Sequence, residues 1–564
     1  MQVAGESRLD SWLSDLLEDQ QSLAAVDQFA QQYDIEPVKE DARYYRDLIP
    51  VSTPGTDQQY AFEVDLDTCS GCKACVAACH ALNPLEETEL WRNVGQLIGG
   101  TSELPVIQHV TTTCHHCIEP ACLKGCPVEA YEKDPLTGIV RHLDDQCIGC
   151  QYCILMCPYD VPVYSKSKGI VRKCDMCHQR LAVGEAPACV QGCPNHAIRI
   201  RLLDKEAILD ESEANLFLPA APEPGYTIPT TIYKSSRPLP RNALPADYFV
   251  VQRAHAHLPL VFMLVLTQMS VGAFLVEQII YSHLSWFHKE DAESVRPLHL
   301  AAALVLGLIG LGASVFHLGR PFYAFRSLLG LRTSWLSREI VAFTFFASAS
   351  TIYVGCAAID LLGFSISERW QAALGLGASA AGLLAVYCSV MIYVDTKRPC
   401  WTFPATCAKF FLTTLILGMP TALLILLVGA AASDELTVKL VMAQPGRLLC
   451  QVLLIAVCAK LVLEVSALAH LKDRQYTPQK RSSLLMTGEL SVVTLRRFFF
   501  GVVGGIVLPP MLAANGTIAD SYQPQFVGAM ALLVLGLLTI GELHERYLFF
   551  TTSMAPKMPG APAG

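Results

Sequence analysis

Cys69-Ser70-Gly71-Cys72-Lys73-Ala74-Cys75-Val76-Ala77-Ala78-Cys79 and Cys147-Ile148-Gly149-Cys150-Gln151-Tyr152-Cys153-Ile154-Leu155-Met156-Cys157 share the spacing C-x2-C-x2-C-x3-C. Two variants lie between and after them. Cys114, Cys117, Cys122 and Cys126 widen the middle gap to four residues, and Cys174, Cys177, Cys189 and Cys193 widen it to eleven. These four groups use sixteen of the 22 cysteines. Prolines follow the last cysteine of three groups, at Pro127, Pro158 and Pro194.

The spacing has a chemical reason. Each iron of a cubane cluster needs one protein thiolate besides its three sulfides. Three closely spaced cysteines on one tight loop reach three irons, while the fourth iron faces away. In two-cluster ferredoxins the fourth cysteine of each run therefore serves the other cluster. Structural zinc also uses C-x2-C knuckles, but it pairs two knuckles across a longer gap and has no use for a third cysteine at the same step. Sixteen thiolates suffice for four [4Fe–4S] clusters.

Working outward, each group is preceded by a short apolar run. Tyr60, Phe62, Val64 and Leu66 alternate with polar or small residues, which predicts a half-buried strand entering the first loop. Residues 106–110, 139–143 and 170–171 precede the other groups in the same way, so a strand-then-cysteine-loop unit repeats four times. Asp134-Pro135-Leu136-Thr137-Gly138 has the residues of a hairpin turn. Residues 1–59 form an acidic extension in which Leu9, Leu13, Leu16 and Leu17 recur at helical spacing beside Trp12, either a helix packed on its own domain or a docking helix. Residues 203–247 carry seven prolines, which rules out a continuous helix and suggests a strap lying along the domain it leaves.

The chain is 564 residues long with net charge −9, so nucleic acid is not an expected partner. Cysteines destined for clusters argue against a secreted disulfide framework. The N-terminus shows neither a basic-then-apolar leader nor a twin-arginine pair, so an export signal is not expected from this chain itself.

From residue 258 the composition becomes apolar, with eight runs long enough to cross a bilayer: about 258–280, 298–316, 340–359, 371–394, 410–432, 448–470, 498–514 and 526–544. The seventh is short and carries Gly504, Gly505, Pro509 and Pro510. The expected fold is an α+β ferredoxin-like polycluster domain of tandem units (60–202), the strap, an all-α bundle of eight transmembrane helices (248–550) and a short tail (551–564). An even number of spans puts both ends of the bundle on one side. Loops on that side hold eighteen Lys and Arg, the opposite loops five. The excess marks the iron–sulfur face as cytoplasmic in an inner membrane, although Arg320, Arg326, Arg332 and Arg338 have a second use in docking the acidic domain.

Residues 60–240, with all sixteen cysteines in order, resemble the four-cluster iron–sulfur subunit of the dimethyl sulfoxide reductase family of membrane molybdoenzymes. His317-Leu318-Gly319-Arg320-Pro321, continuing to Ser337-Arg338-Glu339, resembles the membrane anchor of the same family. Tyr393-Val394-Asp395-Thr396 and Glu542-Leu543 extend the likeness. The chain thus looks like a fusion of two subunits. The resemblance implies crosswise pairing: Cys69, Cys72, Cys75 with Cys193; Cys174, Cys177, Cys189 with Cys79; Cys114, Cys117, Cys122 with Cys157; and Cys147, Cys150, Cys153 with Cys126. It implies a menaquinol site at His317 and Glu339, with Arg320 as a further contact, and a separate molybdopterin-containing catalytic subunit as partner beside the lipid and quinone pool.

The chemistry of the two residues agrees. Oxidising a quinol releases two electrons and two protons, so a base near neutral pKa and a carboxylate with a route to water suit the task. On residue type alone, polar groups capping span ends read more readily as interface anchors, and it is the resemblance that puts the quinol reading first. Lys460 and Glu464, one turn apart, suggest an internal ion pair, Glu277 a proton path or an interface contact, and Asp395 a second proton route. His115 and His116 suggest surface or hydrogen-bonding roles. The remaining cysteines have no ligand spacing and read as small apolar residues. His257, His317, His470 and His544 all fall at span ends, so no haem is expected. Two other functions stay open: electron flow from a dehydrogenase-type partner into quinone, and a wiring scaffold without a quinone site.

Overall fold

The computed structural model describes residues 12–14, 40–283, 295–361, 366–432, 437–518, 524–554 and 558–559. Leu9, Leu16 and Leu17 of the expected N-terminal helix lie outside them, while Trp12 and Leu13 are helical and exposed.

The N-terminal half is an α+β ferredoxin-like unit. Strand β1 (Gln58–Asp65) leads into the first cysteine loop, β3 (Pro105–Thr112) into the second, β5 (Val140–His142) into the third and β7 (Ile170–Arg172) into the fourth. The intervening strands are β2 (Asn93–Gly100), β4 (Tyr131–Lys133) and β6 (Val163–Ser165); β2 pairs with β3, β4 with β5 and β6 with β7, all antiparallel. The Asp134 carboxylate accepts from Leu136 N and Thr137 N at 2.9 and 2.8 Å, closing the turn between β4 and β5. Strand β8 (Ile198–Asp204) returns antiparallel to β1.

Residues 203–247 are not a loose linker. They open with a helix at Lys205–Glu213, then add β9 (Ile232–Lys234) parallel to β1 and β10 (Leu244–Pro245) antiparallel to β2. The prolines do forbid a long helix, and the strap uses its extended stretches to cover two sheet edges.

The C-terminal half has eight helices long and apolar enough to span a membrane, counted among the described residues: spans 1 to 8 are Leu258–Tyr281, Arg296–Val315, Trp335–Ile359, Glu368–Val394, Phe403–Ala432, Val438–Lys472, Ser491–Ala514 and Gln525–Thr551. Span 7 is continuous despite its glycines, and passes through a π-helical turn at Val503–Val507 where Gly504 packs on Leu537 and Gly505 on Val457. Span 1 crosses span 5 closely, with Gly272 against Thr414 and Gly418. The two ends of the bundle meet: Ala254 N donates to Thr551 O at 3.0 Å, and the rings of His257 and Phe550 lie 6.1 Å apart.

Lys460 and Glu464 do not pair with each other. Lys460 contacts Glu542 of span 8 and Thr413 of span 5, while Arg497 of span 7 grips Glu464 with two bonds of 2.9 and 2.8 Å. A guanidinium matches a carboxylate bidentately, which an ammonium one turn away on the same helix does not. Arg546 completes this buried network through Glu545 (2.7 Å), Gln268 (2.9 Å) and Thr413 (3.0 Å). Glu277 is also fully buried, holding Arg296 at 2.9 Å and Tyr353 at 3.0 Å, so it does not reach the interface by itself.

Candidate functional site

Three cavities in the N-terminal half are each lined by four cysteines. One of about 290 Å³ has Cys69, Cys72, Cys75 and Cys193 in its wall. A second, about 270 Å³, has Cys126, Cys147, Cys150 and Cys153. The third, about 370 Å³, has Cys114, Cys117, Cys122 and Cys157. The remaining four approach one another as well, Cys79 lying within electrostatic reach of Cys189 and Cys177, and Cys174 of Cys79. These sets coincide with the crosswise grouping carried over from the family.

The loops explain how. Gly71, Lys73, Gly149, Gln151, Met176 and Cys177 all have positive φ, so the chain curls tightly and turns successive sulfurs inward before a short helix starts. Backbone amides point at the sulfurs: Ala130 N to Cys126 Sγ at 3.2 Å, Ala197 N to Cys193 Sγ at 3.3 Å, and Gly149 N to Cys147 Sγ at 3.4 Å. Four sulfurs around one cavity suit a cubane, in which each iron takes a separate thiolate. A single zinc would draw its ligands to about 2.3 Å from one point, and among the described residues no group of three or more His, Cys, Asp or Glu is so arranged.

The four sets form a row. Tyr131 lies between the set of Cys153 and Cys126 and that of Cys122. Lys173, 2% exposed, comes next; its Nζ approaches Cys114 Sγ at 3.7 Å and donates to Cys174 O at 2.9 Å. Burial opposes its charge, but the thiols of Cys114, Cys122 and Cys174 outweigh that and hold its pKa above the usual lysine range. Arg92, 1% exposed, joins the last two sets, facing Cys189, Cys75, Cys174 and Cys79. Burial pushes the Cys79 thiol up to about 12, while the Arg92 guanidinium nearby favours the thiolate a metal needs. Neither Arg92 nor Lys173 stands out in the sequence. Lys173 adjoins a motif cysteine, a weak hint; Arg92 has no local signal.

His115 and His116 are buried rather than on the surface. His115 Nδ1 pairs with Thr231 Oγ1 at 2.8 Å, and burial, with Arg92 nearby, depresses its pKa to about 3. His116 Nδ1 accepts from Val140 N at 3.1 Å. Both brace cysteine loops.

The row ends on the membrane bundle. Tyr152, between Cys150 and Cys153, is buried and donates to Ile392 O in span 4 at 2.9 Å. One turn back on span 4, Ser389 Oγ donates to the Glu339 carboxylate of span 3 in a short hydrogen bond. Glu339 is 6% exposed. His317 sits just beyond span 2, half-buried, its Nδ1 bonded to Ser314 O. A carbonyl only accepts, so Nδ1 bears the proton and Nε2 keeps its lone pair. Burial lowers the His317 pKa below its ordinary value, and the Ser314 carbonyl offsets part of that. His317 and Glu339 both lie at the cysteine-bearing end of their spans, on either side of the 318–334 loop.

That loop is the clasp. Gly319 packs directly on Gly169 and Gly149. Arg320 N donates to Ile148 O at 3.0 Å, and its guanidinium, one of four for which docking was expected, donates to Asp144 O at 2.9 Å. Arg326 reaches Asp145 O at 2.6 Å, Gly330 N reaches Pro127 O at 2.9 Å, and Ser334 Oγ reaches Gly125 O at 2.7 Å. Peptide carbonyls beside the cysteines thus take the donors of the clasp, which requires the backbone of residues 144–149 to come close.

Fold and site together define a membrane-anchored iron–sulfur electron-transfer protein. The model for the DMSO reductase anchor subunit (DmsC) matches residues 252–551, and a 4Fe-4S dicluster domain matches residues 106–202. The chain therefore belongs to the DMSO reductase anchor subunit family, with an iron–sulfur subunit fused ahead of the anchor. It is 36% identical over 155 residues to the B component of anaerobic dimethyl sulfoxide reductase from Escherichia coli K12, covering 26% of this chain and 75% of that protein. The B component of the Haemophilus influenzae reductase is 35% identical over 157 residues, 26% and 76% of the two proteins. The hydrogenase-2 operon protein HybA of Escherichia coli O157:H7 is 33% identical over 197 residues, 30% and 59% of the two proteins. The chain is thus an iron–sulfur electron-transfer and multi-pass membrane-anchor component of this reductase family.

Proposed function

We propose that the bundle oxidises quinol, of the menaquinol type, beside His317 and Glu339, and that the electrons leave through four [4Fe–4S] clusters to a separate molybdopterin-containing catalytic subunit. The observation that carries this is the continuity from Glu339 through Ser389 and span 4 to Tyr152 and the cavity of Cys126, Cys147, Cys150 and Cys153. The clusters supply one-electron transfer when bound. His317 Nε2 is the base for one hydroxyl proton, Glu339 holds the other side of the ring and takes the second, and Ser389 orients that carboxylate. The clasp keeps the oxidised ring close to the cysteine row. Cys72, exposed at the far end, marks where electrons exit.

The iron–sulfur face is cytoplasmic on this proposal. Arg320 and Arg326 dock the domain, and Lys409, Arg497 and Arg546 join the buried network, so they do not count toward the loop charge. Arg296 is likewise paired on the opposite side. The remainder, thirteen against four, keeps the same sign.

Anaerobically prepared protein is expected to hold about sixteen irons and as many sulfides, and a menadiol solution should bleach the cluster absorbance. Far less iron, or clusters that menadiol leaves oxidised, would reject the proposal. The likeness to HybA, encoded with a hydrogenase, favours a second reading in which electrons run into quinone; cluster potentials mostly below that of the quinone would favour it.

Lys173 gives a separate prediction. A buried cation favours the electron-loaded form of its neighbour. Lys173→Met should lower the potential of the cluster at Cys114, Cys117, Cys122 and Cys157 by about 60 mV or more, one tenfold step for one electron. Redox titration followed by electron paramagnetic resonance measures it; an unmoved potential would refute the placement of that charge.

A further inference from the structure

One group of side chains at the junction has no part in the mechanism so far. His257 ends the segment that enters span 1, and its Cα has φ +35°, a left-handed conformation that is costly for a residue with a side chain. Strain of this kind persists where the surroundings enforce it and is a pointer to function. His257 O accepts from Leu260 N at 2.9 Å and Val261 N at 3.2 Å, so the residue is the first turn of the span and cannot relax without unwinding it.

The left-handed turn sets the ring among specific neighbours. His255, exposed, lies with its ring 4.6 Å from that of His257, and His255 Nδ1 accepts from His257 N at 3.3 Å. On the inner side, His317 at the end of span 2 is close enough for its charge to disfavour a charge on His257. Spans 1 and 2 are neighbours along much of their length. Phe550 of span 8 closes the ring from below at 6.1 Å, and Arg398 from the loop before span 5 is the remaining charged group that faces it. The ring of the half-buried His257 therefore meets that of the exposed His255, while the half-buried His317 ends the neighbouring span on the same side.

We propose that His257 and His255 are the proton exit of the quinol site. The step rests on the proposal that His317 is the quinol base. As quinol becomes quinone, its two O–H bonds break and two electrons go one at a time to the clusters. His317 Nε2 takes one proton, which passes by way of water to a ring nitrogen of His257 at the end of the neighbouring span and then through His255 to the iron–sulfur side; Glu339 takes the other. The surroundings of the middle residue suit it to passing a proton rather than keeping it. Burial, the neighbouring His255 and His317, and Arg398 bring its pKa to about 4, so it is neutral when His317 delivers. The helix N-terminus at its carbonyl adds to that bias. Arg or Lys at position 257 would hold its proton, and an apolar residue would carry none.

The test uses the full chain in detergent, loaded with iron and sulfide, and menadiol as donor in stopped flow. His257→Asn keeps a side chain that tolerates the left-handed backbone but cannot relay. The expected result is a fall of about tenfold in the rate of cluster bleaching, a small part of what general acid–base groups contribute. The menadiol KM and the affinity of a fluorescent quinol-site inhibitor should be unchanged, and imidazole in the buffer should restore the rate. His257→Gly, which removes the strain as well, should behave the same way. Wild-type rate in both variants would overturn the proposal, and so would a loss that imidazole does not restore, since that is a structural effect. If His317→Ala also bleaches at the wild-type rate, the quinol site itself is misplaced; if only the His257 variants do, the exit alone is.

Discussion

His317→Ala and Glu339→Gln each stop quinol from reducing the clusters, by a factor on the order of 10² or more, while dithionite still reduces every cluster with an unchanged spectrum. The size follows from what each group does. His317 Nδ1 is committed to the Ser314 carbonyl, which leaves Nε2 as the proton acceptor and fixes the ring plane. Alanine removes that acceptor without touching a cysteine loop, because the bonds that join bundle and row are made by other residues, Arg320, Arg326, Gly330, Ser334 and Tyr152 among them. Glutamine at 339 keeps the size and the bond from Ser389 but cannot take a proton. Ser389→Ala should lower the rate less, by roughly tenfold, since it loosens the carboxylate without removing it. The sign of the pH dependence is fixed by burial. His317 has a pKa below the ordinary value of about 6.5, so its own contribution to the wild-type rate should rise with pH at the acid end and reach its plateau below the ordinary histidine range. Menadiol bleaching across pH in the two variants measures both statements. Quinol turnover persisting in His317→Ala would remove that residue from the site.

Much of this arrangement could be read from residue order, because the cysteine spacing is a local signal with a local cause. A C-x2-C-x2-C loop needs only tight turns, and the backbone supplies them at Gly71, Gly149 and Met176. The spans are equally local, since length and hydropathy define them. Crosswise grouping of the cysteines is not local; only the family resemblance offered it, and the cavities show why one loop closes on the distant cysteine of another. The misses share one feature, that the partner is far away in the chain. Lys460 has a carboxylate one turn away, yet its partners are 47 and 82 positions distant. The strap was expected to lie along its domain, but that Ile232 and Leu244 would join sheets begun near residues 60 and 95 has no signature in the prolines around them.

Gly319→Val should disconnect the two halves without damaging either. A Cβ at Gly319 falls on the carbonyl of Gly169 and against its Cα at 2.8 Å, both backbone atoms that no rotamer change can move. Gly149 and Gly169 are locked in turn, since both have positive φ, +70° and +66°, where a side chain would be strained. The three glycine backbones are thus in contact at the point where Arg320 N meets Ile148 O. A valine has one way to fit, which is to push the clasp off the third cysteine loop, and that breaks the Arg320 and Arg326 bonds together. The clusters would remain loaded, because all sixteen motif cysteines belong to loops of the N-terminal half. The quinol site would keep its shape, because Glu339 and Ser389 belong to spans 3 and 4, which pack on each other, and His317 stays tied to Ser314 O at the end of span 2. What is lost is their separation, and a shift on the order of 1 Å in such a contact costs up to about 10²-fold. Gly355→Val is the control: its Cβ meets nothing within 4 Å and it lies in span 3 with Glu339. The expected pattern is full iron content and full inhibitor binding in both variants, with menadiol bleaching slowed at least tenfold in Gly319→Val alone. Equal rates in the two variants would mean that electrons enter the row by some route other than the clasp.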